Sequence, residues 1–153
     1  MQENISANDT ANRTYEITIY GFDSGLNEVL NGVHFDYRLK RIVNPVKKKN
    51  DEMMIKQLRF HSDLREIKTP IVIHYAFYVK DKRRDRMNIA SAADKSFEDA
   101  LQKVGFIKND GWADVLNATF EFHVDKENPR IEITITEVEK EDGRKKNVCK
   151  DNN

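Results

Sequence analysis

Residues 82–112 hold the side chains best suited to chemistry. A cationic run of Lys82, Arg83, Arg84 and Arg86 surrounds a single carboxylate, Asp85. Asp94 and Lys95 follow near the start of a helical pattern, and Asp110 comes later, beyond Gly105, in an Asn109-Asp110-Gly111 turn. Hard divalent cations take oxygen ligands, commonly carboxylates on loops at the ends of secondary elements, and neighbouring arginines would seat phosphates. Cations, carboxylates and a lysine beside a helix start together suit phosphodiester chemistry. Each residue also has an ordinary structural role. Asp85 could be a helix-capping acid, Asp94 a solvated acid that complements the helix dipole, and Asp110 a plain turn residue. Lys95 and Asp99 stand four apart, the spacing of a surface ion pair worth about 0.3 kcal/mol.

Other classes of site are poorly served. The one cysteine, Cys149, lies in a polar tail without an intrachain partner, which fits a reducing compartment. His34, His61, His74 and His123 show no zinc spacing, and the two within strand patterns, His74 and His123, read as packed or half-exposed side chains. No phosphate-loop or dinucleotide-binding glycine pattern is present, so no nucleotide cofactor is expected.

The elements around these residues follow from periodicity. Tyr15, Ile17 and Ile19 alternate with polar neighbours as in a half-buried strand that Gly21 stops. Residues 24–32 read as a turn and a short helix ending at Gly32. Phe35, Leu39 and Ile42 have helical spacing, and Pro45 must end, kink or restart that helix. From Lys47 a second helical run puts Met54, Leu58 and His61 on one side. Residues 71–79 are apolar enough for a central strand. Ile89, Ala93, Phe97, Leu101 and Val104 form the stripe of an amphipathic helix, with Asn88 as its cap and Gly105 as its stop. Residues 117–124 and 130–137 alternate cleanly, and their short connection predicts an antiparallel hairpin. The sum is one α+β domain, a small mixed sheet of about four strands covered by helices on at least one face.

Composition sets the remaining bounds. The 153 residues are 39% hydrophobic and 34% charged with zero net charge, the profile of a soluble globular protein. Residues 34–86 nevertheless carry 15 Lys and Arg against 7 Asp and Glu, a surplus of eight. Lys47, Lys48 and Lys49 are each read singly as a solvated face, and as a group could contact phosphates. Residues 1–13 and 139–153 lack an apolar pattern and are expected to be disordered or flexible, leaving 14–138 as the domain. Neither a targeting peptide nor a membrane span is visible, so a cytoplasmic location is expected, with no membrane partner.

The order Arg83-Arg84-Asp85-x-x-Asn88, then Lys95-x-x-x-Asp99-Ala100-Leu101, then Gly105-Phe106 and Asn109-Asp110, resembles the RusA family of Holliday junction resolvases of phages and prophages. The resemblance extends over about residues 14–137, and its specific part is 83–110. It implies a Mg²⁺-dependent endodeoxyribonuclease that resolves branched DNA by paired nicks as a homodimer in a bacterial or phage-infected cell. By the same match Asp85 and Asp110 correspond to metal-binding acids and Lys95 to the active-site lysine. Lys82, Arg83, Arg84 and Arg86, with Lys47, Lys48 and Lys49, would contact the DNA backbone. Two departures matter. Met87 stands where the family has a second Asp, and a thioether is a poor Mg²⁺ ligand. Several extra residues also separate Asn88 from Lys95. Asp94 is the acid that would restore the missing ligand, if the helix starts at 88–91 and Asp94 lies in its first or second turn. The alternatives are a weakened or inactive DNA-binding or regulatory protein on the same scaffold, and an interaction module without a nucleic-acid partner.

Overall fold

The computed structural model describes residues 12–22 and 25–139; the segments 1–11 and 140–153, expected to be disordered or flexible, lie outside them. Among the described residues the order is β1 (Thr14–Tyr20), α1 (Leu26–Asn31), β2 (His34–Asp36), β3 (Arg41–Val43), α2 (Pro45–Leu58), a 3₁₀ turn (Ser62–Glu66), β4 (Ile71–Val79), α3 (Arg86–Val104), β5 (Val115–Val124) and β6 (Arg130–Glu137). This is the α+β architecture read from the sequence: a four-stranded mixed sheet, a separate two-stranded sheet and three helices. No helix among the described residues is long and apolar enough to cross a membrane.

Alternation builds the sheet and chooses its buried face. Ile17 pairs with Ile133 and Ile19 with Ile131, while Tyr75 and Phe77 of β4 meet Ile133 and Ile131 from the other side. All six are buried, and β6 therefore lies inside the sheet rather than at its edge. Onto this face α2 brings Met54 and Leu58, and α3 brings Ala90, Ala93, Phe97, Ala100 and Leu101. The small residues let α3 lie close to the strands, and Phe97 meets the Tyr75 ring edge-on at 5.9 Å.

Three expectations are corrected. First, β5 and β6 do not form a hairpin; the strand order is β1-β6-β4-β5, with β4 between them. β4, α3 and β5 make a parallel crossover unit, and β6 runs antiparallel to β4 on its other side. Skipping one strand covers about 10 Å, well within the roughly 16 Å span of a five-residue connection. The amide of Asp125 donates to Val79 O at 2.9 Å as that connection crosses the end of β4.

Second, the segment with Phe35, Leu39 and Ile42 is a β-hairpin and not a helix. Phe35 pairs with Ile42 across β2 and β3. The Asp36 carboxylate accepts from the amides of Arg38 (2.8 Å) and Leu39 (3.0 Å), a local bond that favours the turn over a helix. Pro45 then starts α2 at its first position, with Asn44 as N-cap accepting from the Lys47 amide. Third, α3 begins earlier than its apolar stripe suggests. Asp85, not Asn88, is the N-cap.

Candidate functional site

α3 is the axis of the site, and its end signals fix its length. The Asp85 carboxylate accepts from the Asn88 amide at 2.9 Å, and Gly105, at φ 85°, ends the helix in the left-handed conformation that favours glycine. α1 is seated against the N-terminal end. A Cβ on Gly25 would lie 2.7 Å from the Asn88 side-chain nitrogen, so a larger residue there would have to push that side chain aside, and Glu28 pairs with Arg84 at 3.6 Å.

Two loci result. At the N-terminal end Asp85 lines a cleft of about 450 Å³ with Lys82, Arg84, Arg86 and His123. A neighbouring cleft of about 540 Å³ takes Arg83 and Arg84 together with Arg130. The 80–86 loop thus presents its cations along two open grooves, and Arg83 is almost wholly exposed. Asp81 lines both grooves beside these cations.

The second locus lies midway along α3. Beyond Gly105 the chain doubles back, and the 109–114 turn is held by the Asn109 amide donating to Asp114 Oδ2 at 2.8 Å. Asp114 is buried, and its carbonyl accepts from the Ile71 amide at the start of β4. This anchoring brings Asp110 to Lys95, whose Nζ donates to Asp110 Oδ2 at 2.6 Å and meets Asp99 Oδ1 at 2.9 Å. Asp99 is shared with Lys47 of α2 at 2.8 Å; Lys47 in turn binds Asp51 at 2.8 Å, and Lys103 closes on Asp51 at 2.7 Å. A chain of alternating charge therefore runs from α2 across α3 to the returning loop.

The electrostatics follow from these contacts. The hydrogen bonds from Asp110 and Asp99 hold the Lys95 ammonium well above its ordinary range, so it is cationic at every physiological pH. Asp110 is held low chiefly by its bond to Lys95. Burial opposes ionisation of Asp99, but Lys47 and Lys95 outweigh it and hold the carboxyl low. Glu98, which no sequence motif marked, behaves differently. Half-burial, then the charges of Asp94 and Asp110, push it up to about 7. The signals that could have found this locus were modest: two i, i+4 Lys–Asp pairs, 47/51 and 95/99, and an acid one turn after Asp94.

Asp94 is corrected in both position and role. With α3 starting at Arg86, it falls in the third turn, about 13 Å of helix rise beyond Asp85. Its Oδ1 is buried and turned towards the Tyr75 hydroxyl; neither atom has a hydrogen-bond partner at ordinary distance among the described residues. Burial raises Asp94 and, with the charge of Asp94, carries the wholly buried Tyr75 well above its usual range. Asp94 therefore does not supply a ligand beside Asp85.

Asp85 and Asp110 also remain apart within one chain. Ten residues of helix, about 15 Å, separate Asp85 from Lys95. Lys95 leans further away, towards Asp99, where it meets Asp110. Carboxylates sharing one Mg²⁺ must each come within about 2.1 Å of it, so Asp85, Asp94 and Asp110 of a single chain do not fit one ion. Among the described residues no group of three His, Cys, Asp or Glu is placed to hold a metal. The proposed phosphate-contacting lysines divide likewise: Lys47 is inside the network, Lys48 pairs loosely with Glu52 at 3.7 Å, and Lys49 is exposed. No protein-family model matches this chain, and no curated protein matches it.

Proposed function

We propose that the protein is an endodeoxyribonuclease of the RusA type, cutting branched DNA by paired nicks as a homodimer, with Mg²⁺ as its cofactor. The observation that carries this reading is the contact of Lys95 with Asp110, fifteen residues apart in sequence and both named by the motif resemblance. Lys95 cannot act as a base while its charge is held so firmly; its role is to meet negative charge developing on a phosphate. Asp99 orients it, and Lys47, Asp51 and Lys103 hold Asp99 against α2. The 80–86 loop supplies backbone contacts through Lys82, Arg83, Arg84 and Arg86, which makes binding fall steeply with salt. The cofactor part of the reading requires a second subunit to complete the ligand set, because the acids of one chain stand at two levels of α3.

A second reading, a DNA-binding or regulatory protein without cleavage, is favoured by one specific feature. Asp85 already serves as a helix cap through Oδ1, and Met87, two residues on, is exposed and offers only a thioether, a poor Mg²⁺ ligand. A four-way-junction assay with and without Mg²⁺, using the wild type, Asp85→Asn and Asp110→Asn, separates the readings. Mg²⁺-dependent cutting that both variants lose supports the nuclease. Binding without cutting selects the regulatory protein, and neither activity removes both.

A further inference from the structure

The β2–β3 hairpin stands apart from the core. A two-stranded hairpin alone in water is marginal at best, and this one exposes an entire apolar face. Phe35 and Ile42 oppose each other across the strands, and the Tyr37 ring meets Phe35 edge-on at 5.0 Å. Their exposures are 48%, 71% and 85%. Around them lie Arg38, Lys40 and Arg41, which have no ion-pair partner among the described residues, while the one acid, Asp36, is taken up by the turn amides. At about 3.3 Å per residue, the three paired residues of each strand reach roughly 10 Å, with the 37–40 turn at the tip.

The base of the hairpin is tied to the charged network. Asn44, directly after β3, caps α2 and donates to Val29 O at 2.7 Å, joining α1 to α2. Three residues on, Lys47 binds Asp99, which holds Lys95. The arm thus springs from the edge of the molecule that carries the second locus.

We infer that this hairpin is a nucleic-acid-binding arm that stacks Tyr37, backed by Phe35, on unstacked bases of a single strand or branch point while Arg38, Lys40 and Arg41 hold phosphates. Exposed aromatic rings interleaved with unpaired cations are complementary to bases and their backbone. A second copy of this chain fits the patch poorly. A twofold contact sets the same surface against itself and would drive three cations towards three cations with no free acid to receive them. The inference rests on the DNA-binding part of the reading above and not on cleavage.

The test is fluorescence anisotropy with a labelled single strand, a four-way junction and a linear duplex, with cleavage and sedimentation measured on the same preparations. Tyr37→Ala should weaken single-strand and junction binding about fivefold or more and duplex binding less, whereas Tyr37→Phe should bind as wild type. Arg38→Ala/Lys40→Ala/Arg41→Ala should lower the salt dependence of single-strand binding by about two counterions. Tyr37→Ala binding within twofold of wild type overturns the arm even if cleavage persists. Hairpin-dependent binding without cleavage upholds the arm while removing the nuclease. A wild-type dimer that Phe35→Ala/Tyr37→Ala turns into monomers gives the patch to a second copy and overturns the proposal.

Discussion

Glu98→Gln isolates the unusual electrostatics of α3. Glu98 sits one turn from both Asp94 and Lys95, and half-burial among like charges raises its carboxyl from the ordinary 4.5 to about 7. The folded state therefore holds this proton more tightly than the unfolded chain. Folding takes up the proton between about pH 4.5 and pH 7, so this group's contribution makes stability fall as pH rises through that window. At 1.36 kcal/mol per unit, a difference of about 2.5 units is about 3.4 kcal/mol. Because the side chain is only half-buried, solvent screening reduces this to about 1–2 kcal/mol. Glutamine keeps the shape without the charge. The variant should match wild type at pH 4 and exceed it by about 1–2 kcal/mol at pH 8, measured by urea unfolding followed by circular dichroism. Equal differences at the two pH values would refute the reasoning. Asp94→Asn supplies a cross-check: it removes the largest charge acting on Glu98, so the Glu98 midpoint, followed by carboxyl NMR, should move down.

Other expectations follow from the same contacts. Asp85→Asn keeps a good N-cap and should leave stability within a few tenths of a kcal/mol, while Asp85→Ala should lose about 1 kcal/mol; if both variants also lose cleavage, the charge of Asp85 serves more than the helix. Phe97→Ala, at a fully buried site against Tyr75, should cost about 3–5 kcal/mol in denaturant unfolding. Gly105→Ala, at φ 85° with open space around it, should cost about 1–2 kcal/mol from backbone strain alone.

Local pattern carried much of this fold. The alternation of Tyr15, Ile17 and Ile19, the apolar run of β4 and the stripe ending at Gly105 each specify an element through its own buried face. Pairing was harder to read, because which strand lies beside which depends on the crossover of α3 and on the burial of Ile131, Ile133 and Ile135 on one face between two partners. The hairpin at 34–43 differs for another reason: Phe35, Leu39 and Ile42 have helical spacing, but the turn bonds of Asp36 and the Phe35–Ile42 pair follow strand geometry. In the site, motif order named Lys95 and Asp110, while their contact depends on the anchoring of the returning loop by Asp114. The helix start decided the rest. Moving the cap from Asn88 to Asp85 carries Asp94 into the third turn and against Tyr75, where it is no candidate partner for Asp85.

The most direct measurement of the central claim is the single-turnover rate of strand cutting in a labelled four-way junction with Mg²⁺, for wild type, Lys95→Ala, Asp110→Asn and the double variant. If Lys95 and Asp110 form one reaction centre, each single change lowers the rate by about a hundredfold or more, and the double variant is scarcely worse than the weaker single. A wild type that leaves the junction intact, or a Lys95→Ala protein that cuts at the wild-type rate, contradicts the account.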